Sequence, residues 1–320
     1  MNFLPDYFLQ NLKKIYTAEE LEIIHNWFNT KKRKLSLRLN GIKTNIEKFE
    51  AELTEKWIVF EKIKWLENAY MLDELSEKDL QKMRMYNTWE VYLQWLASQL
   101  PVLFFDDLKW KTVLDVTSAP GWKTSQLASC MQNLWEITAL ELGQIRLEKL
   151  NYTLSRQWVT NTQVIKTDAR SFQTDKKFDA ILLDAPCSSE WRINLYYEKS
   201  YWFLSETNNK KNYKLQKAII NNVLQYLANW WEFIYSTCTL HPLENEAIVH
   251  FIISNFPELE TCELDETILQ SFRYKAAITK FWDTVYNKKV AHAVRILPSE
   301  KHEWFFIAKF FKKSPHHCGW

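Results

Sequence analysis

From Thr112 to Phe256 the chain alternates between short apolar runs and amphipathic stretches, and this alternation restricts the fold more than any other feature. "TVLDV" (Thr112–Val116), "EITALEL" (Glu136–Leu142), "TQVIKTDA" (Thr162–Ala169), "FDAILLDAPC" (Phe178–Cys187) and "EFIYSTCT" (Glu232–Thr239) read as buried strands. "KTSQLASCMQ", "GQIRLEKLNYTLSRQ", "KLQKAIINNVLQYLA" and "ENEAIVHFIISNF" read as the helices around them. Strands alternating with helices specify a mostly parallel, Rossmann-like α/β sheet covered on both faces. "AVRILPS" and "EWFFIAKFF" add late strands, expected to be antiparallel at an edge.

The first hundred residues follow a different plan. Pro5 to Thr30 reads as helical, with Thr17 a candidate N-cap before "AEELEIIHNWF". "KLSLRLN" alternates like a strand, "NIEKFEAELTEK" reads as a helix, and "IVFEKI" and "AYML" read as strands. The division expected is a small α+β module over 1–100, an α/β domain over 101–313 and a tail over 314–320.

Ligands of an open α/β sheet bind beyond the carboxyl ends of its strands. The first strand there runs into "DVTSAPGWKT", a turn of small residues opening a helix, which suits close approach of a nucleotide-like ligand. The second ends at Glu141, placed to accept from ribose hydroxyls. The third ends at Asp168, placed to accept from an adenine amino group. The fourth carries Asp184 and Cys187, and the fifth carries Cys238. A lone buried cysteine is ordinary packing. Two at neighbouring strand ends of a nucleotide-binding sheet point to thiolate chemistry.

Composition excludes several classes. The 320 residues contain five cysteines, none in a CxxC pair, so neither a zinc site nor a disulfide framework is expected. "HHC" near the end reads as tail, not metal site. No apolar run reaches the ~20 residues that span a bilayer, and no signal peptide is read at the start. A cytoplasmic monomer without a membrane or metal partner is therefore expected. The net charge of +2 gives no argument for nucleic acid. Two basic clusters, Lys31 to Lys43 with Arg33 and Arg38, and Lys210, Lys211, Lys214 and Lys217, each read as solvated surface charge.

With these motifs in place, "LDVTSAPGWKT", "DAR", "LLDAPCSSE" and "YSTCTLHPLENE" resemble the Nop/Sun (RsmB-like) family of S-adenosylmethionine-dependent RNA cytosine-5 methyltransferases. The resemblance runs from about Leu93 to Lys312, and "LSLRLNGIKT" is similar to a segment of that family's N-terminal RNA-binding module. It implies Cys238 as the nucleophile that adds to cytosine C6, Cys187 as the residue that resolves the adduct and releases product, and Asp184 as a contact to the target base that also borders the cofactor. It implies S-adenosylmethionine on the turn Thr117, Ser118, Ala119, Pro120, Gly121, Trp122 and Lys123, with Glu141 on its ribose, Asp168 at its adenine and Arg146 nearby. The partner implied is RNA, ribosomal or transfer. Thr117 stands where the family commonly has a cysteine that is not the nucleophile.

One departure is systematic. The chain has 4 glycines and 16 tryptophans. Average usage of about 7% predicts roughly 22 glycines, nearly the two counts combined. Trp57, Trp89, Trp110, Trp122, Trp135, Trp158, Trp191, Trp230, Trp231 and Trp304 stand where glycine is usual in the family, whereas Trp65 and Trp202 do not. Glycine serves left-handed backbone and close approach, and tryptophan suits neither. A gene in which UGA encodes glycine, translated with UGA as tryptophan, produces this pattern. The alternative is a genuine tryptophan-rich paralogue that has lost its cofactor and acts as a non-catalytic RNA-binding or assembly factor.

Overall fold

The computed structural model describes residues 4–66, 68–72 and 75–313. The tail expected at 314–320 lies outside them. The chain opens with α1 (Asp6–Ile15) and α2 (Ala18–Phe28). The break between them is set by Thr17, whose hydroxyl accepts from Glu20 N while the Glu20 carboxylate accepts from Thr17 N. This reciprocal pair satisfies two helix-end donors. The apolar faces of the two helices do not pack on the small sheet that follows. Phe8, Leu12, Ile24 and Phe28 share a core with Ile193, Leu240, Leu297 and Trp304.

Next come β1 (Leu35–Leu39), α3 (Ile46–Glu55), β2 (Phe60–Lys62), β3 (Ala69–Leu72), the single turns α4 (Glu77–Leu80) and α5 (Arg84–Asn87), and β4 (Val91–Leu93). The strands form an antiparallel sheet in the order β2-β3-β1-β4. Phe49 and Leu53 of α3 pack against Leu37, Leu39, Tyr70 and Leu72. The strand β4 was not expected from the sequence. It is too short to show a period, and pairing with β1 defines it.

The large unit runs α6 (Leu96–Leu103), β5 (Val113–Asp115), α7 (Trp122–Cys130), β6 (Ile137–Glu141), α8 (Gln144–Arg156), β7 (Thr162–Lys166), β8 (Phe178–Asp184), α9 (Glu206–Val223), β9 (Leu227–Thr237) and α10 (Glu246–Asn255). It closes with β10 (Leu259–Cys262), the turn α11 (Glu266–Leu269), β11 (Tyr274–Ala276), the hairpin β12 (Lys280–Phe281) and β13 (Thr284–Val285), β14 (Val294–Ile296) and β15 (Phe305–Lys312). The nine-stranded sheet has the order β11-β14-β15-β9-β8-β5-β6-β7, with β10 also on β15. The strands β5 to β9 are parallel and the late strands antiparallel. The strand order reverses between β5 and β8, where an open sheet forms its binding crevice. One core cluster lies between β8, β9, α9 and α10, and another between the sheet, α6 and α7.

Several boundaries differ from the sequence reading. The helix α9 begins at Glu206 rather than Lys214, because Ser205 caps it by accepting from Asn208 N. Asp168 lies past the end of β7, in the turn that follows. The strand β9 begins at Leu227 rather than Glu232. The helix-to-strand turn expected at Trp230 and Trp231 is instead a bulge. Phe178 and Ala180 of β8 pair with Leu227 and Glu232 of β9, so the intervening residues of β9 loop out of register. Trp230 takes φ 70° there. No helix among the described residues is long and apolar enough to cross a membrane.

Candidate active site

The strand ends build the site. After β5 the chain turns through Thr117 to Gly121 and enters α7. Thr117 Oγ1 donates to Asp184 O at 2.7 Å, and Ser118 Oγ donates to Asp115 O at 2.8 Å, which ties the turn to the ends of two strands. The Ala119–Pro120 peptide is cis. Gly121 has φ 104°, and a Cβ there would meet Thr153 and Leu150 of α8 at 3.1 and 3.2 Å. Glycine is therefore needed both for conformation and for packing against α8. Asp115, fully buried, accepts from Thr124 Oγ1 at 2.7 Å, and burial raises its pKa to about 6.

Beyond β5, β6 and β7 lies a cavity of about 1050 Å³. Among the expected cofactor residues, Thr117, Glu141, Arg146 and Asp168 line it. Glu141 accepts from Gly143 N at 2.8 Å and pairs with Arg146 at 3.3 Å, while Arg146 also donates to Ala119 O at 2.8 Å. Asp168 pairs with Arg170, which holds its carboxyl below the usual range. Val116, Leu140, Leu142 and Ile219 supply apolar wall. Ser118 and Lys123 are buried within the turn and first helix, not in the cavity wall. Trp122 is also absent from the lining.

Three lysines of α9, Lys210, Lys211 and Lys214, do line the cavity. The sequence reading left them as surface charge. Only the fold brings α9 over the ends of β6 and β7. Arg38 departs further from that reading. It is 3% exposed and donates to Gln94, Ser125 and Gln157, joining the small sheet to α7 and α8.

On the other side of the switch point, Asp184 accepts from Lys123 Nζ at 2.8 Å and from Ser236 Oγ at 2.9 Å. Lys123 also donates to Ser98 Oγ at 3.0 Å. The carboxylate is thus fixed between α7 and β9. Cys187 and Cys238 face each other with 3.2 Å between their sulfurs. Ser189 Oγ lies 3.7 Å from the first and 3.6 Å from the second. The contact with Cys238 and burial together push the Cys187 thiol well above its ordinary pKa. Trp304 Nε1 donates to Cys238 O at 3.1 Å. The sequence reading named the carboxylate and both sulfurs. It missed the bracket of Lys123 and Ser236 on Asp184, which no spacing encodes. The described residues hold no cluster of side chains suited to a metal ion.

This sheet order defines a Rossmann-like fold, with a cavity and two facing cysteines at its parallel strand ends as the candidate site. Residues 103–311 match the family described as 16S rRNA methyltransferase RsmB/F, and the chain belongs to that family. It is 30% identical over 295 residues to ribosomal RNA small subunit methyltransferase F of Shewanella sediminis, covering 89% of this chain and 58% of that protein. It is 34% identical over 240 residues to the protein of the same name from Pectobacterium carotovorum, covering 72% of this chain and 48% of the other. The chain thus spans about half the length of the curated relatives it matches. The fold is shared with a methyltransferase homologue of Pyrococcus horikoshii. The TM-score is 0.82 at 24% identity, with 97% and 95% of the two chains covered.

Proposed function

We propose that this chain transfers the methyl group of S-adenosylmethionine to C5 of a cytosine in RNA, through a covalent bond between Cys238 and C6. The observation that carries the reading is the pair of sulfurs 3.2 Å apart at the ends of β8 and β9, beside a cavity with carboxylates at the ends of β6 and β7.

The residues present fit the cofactor. Glu141, held by Gly143 N and Arg146, offers its carboxylate to ribose hydroxyls, and Asp168 offers one to an adenine amino group. Leu140, Leu142 and Ile219 give the apolar wall that an adenine ring needs. When bound, the cofactor supplies an electrophilic methyl group on a sulfonium.

Cytosine C5 is a weak nucleophile until C6 is attacked. The Cys238 thiolate adds to C6, and the electron pair passes through the ring to C5, which takes the methyl group. Loss of the C5 proton to solvent then returns its electron pair to the C5–C6 bond and expels Cys238 as its thiolate. Asp184, oriented by Lys123 and Ser236, is assigned to the base edge, where a proton shared between its carboxylate and N3 neutralises the negative charge that attack at C6 sends into the ring. The raised pKa of Cys187 disfavours it as the attacking thiolate, so attack is assigned to Cys238, and Cys187, 3.2 Å from that sulfur, is assigned to the breakdown of the adduct. The target base must leave its stack to reach Cys238.

Small-subunit ribosomal RNA is the first substrate to test, from the names of the relatives. Labelled methyl transfer should appear on that RNA, and nuclease digestion should release it as 5-methylcytidine. Label on transfer RNA alone would move the substrate, and label on another nucleoside would refute the chemistry. The competing reading, a non-catalytic RNA-binding factor, needs Trp122 to block the cofactor. Its absence from the cavity lining favours the enzyme.

A further inference from the structure

A buried polar network joins the two cysteine loops, and methyl transfer as described above does not use it. Ser188 follows Cys187, Thr239 follows Cys238, and their hydroxyls meet at 2.9 Å. Ser188 Oγ also lies 2.6 Å from Glu190 Oε1 and 2.6 Å from Glu244 Oε1. All four residues are 3% exposed or less.

Proton counting constrains this arrangement. A serine hydroxyl has one proton to donate, so it satisfies one carboxylate oxygen at that distance and not two. The second short contact needs a proton on the carboxyl itself. The surrounding donors show which carboxyl carries it. Glu244 accepts from Ser188 N at 3.0 Å, Asn209 Nδ2 at 2.8 Å and Gln216 Nε2 at 3.2 Å, as an ionised group should. Glu190 Oε2 is buried without a hydrogen-bond partner.

We propose that Glu190 is a carboxylic acid at neutral pH, donating to Ser188, which donates to Glu244, and that this relay is a positioning element that sets Cys187 against Cys238 for breakdown of the adduct. The positioning half rests on the two-cysteine reading above; the proton half does not.

The groups that face the pair are Tyr7 from α1, Asn209 and Gln216 from α9, Tyr235 from β9, Thr239 and Leu240 just after β9 and the Cys187 thiol, none of them cationic. No lysine or arginine contributes among the main influences on either carboxyl. Burial raises both carboxyls, so the pair holds a proton between them, and the donors already gathered on Glu244 leave that proton to Glu190. Two uncompensated buried charges would repel, and the hydroxyl that bridges the loops would lose one of its short contacts. Once the pair gives up its shared proton at high pH it becomes doubly ionised, and the loops lose their link.

The test reads the proton directly. In the full chain at neutral pH, the infrared carbonyl band of protonated carboxyl groups should lose intensity in Glu190→Gln and keep it in Glu244→Gln. An unchanged band in Glu190→Gln, or a loss confined to Glu244→Gln, overturns the assignment. The positioning role is read from covalent protein–RNA adduct during turnover. Glu190→Ala should slow adduct breakdown roughly tenfold, the effect of losing one ordinary hydrogen bond. Glu190→Gln, whose amide still donates to Ser188, should restore it. Equal adduct levels in both variants and the wild type overturn the positioning role. If Cys187→Ala traps no adduct, the two-cysteine reading fails, while the infrared result still decides where the proton is.

Discussion

At Trp57, Trp89, Trp110, Trp135, Trp158, Trp230 and Trp282 the backbone takes φ between 51° and 70°. They are seven of the ten non-glycine residues with positive φ among those described. A left-handed residue with a side chain costs on the order of 1–2 kcal/mol, so together they approach the 5–15 kcal/mol stability of a typical domain. Nothing offsets this at Trp57, which is 92% exposed. Six of the seven were legible from the sequence as departures from family glycines. Trp282 was not, because its hairpin lies in no motif. Trp122, Trp191, Trp231 and Trp304 have no positive φ, so backbone strain does not account for glycine there. Replacing the seven with glycine should raise the unfolding free energy read from denaturant melts by about 1 kcal/mol per site. Ordinary tryptophan truncation lowers it. UGG codons at these positions would contradict the reading of them as UGA-encoded glycines, and UGA codons would support it.

At the level of strands and helices, alternation revealed the parallel core because β5, β6, β8 and β9 are buried and continuous in apolar residues. Register was not legible. The bulge that begins β9 and the short β4 both depend on their partners. Paired charge was equally hidden. Arg295 of β14 is fully buried and donates to Glu246 at the start of α10 at 2.6 and 2.5 Å, to Tyr16 Oη at 2.9 Å and to Leu240 O at 3.0 Å. It joins the end of α1 to the loop after Cys238, across sequence distances that no pattern reports. Removing one partner strands the other as a buried charge. Glu246→Ala should therefore destabilise by about 3–5 kcal/mol, read as a shift in the unfolding midpoint. A change below about 1 kcal/mol, the scale of an exposed pair, would mean that the pair is not buried in solution.

Over the whole molecule, the first two helices share one apolar cluster with the connections around the large sheet, and Arg38 ties the small sheet to α7 and α8. A division at residue 100 is proposed as a functional boundary between RNA module and catalytic domain. The packing predicts that residues 101–313 alone expose Leu240, Leu297 and Trp304 and aggregate on expression, whereas a soluble monodisperse fragment would show that the cluster is dispensable. The candidate site residues could be picked out because they sit at strand ends, which the apolar runs mark along the chain, although the spatial order β9-β8-β5-β6-β7 does not follow the sequence. What was missed, Lys123 and Ser236 on Asp184 and the Ser188 network, joins residues from separate elements. The central claim concerns covalent chemistry at Cys238, and denaturing electrophoresis of the full chain with RNA and S-adenosylmethionine tests it most directly. The account predicts a stable protein–RNA band with Cys187→Ala, and neither that band nor methylation once Cys238→Ala is added. Methylation that survives Cys238→Ala would contradict it.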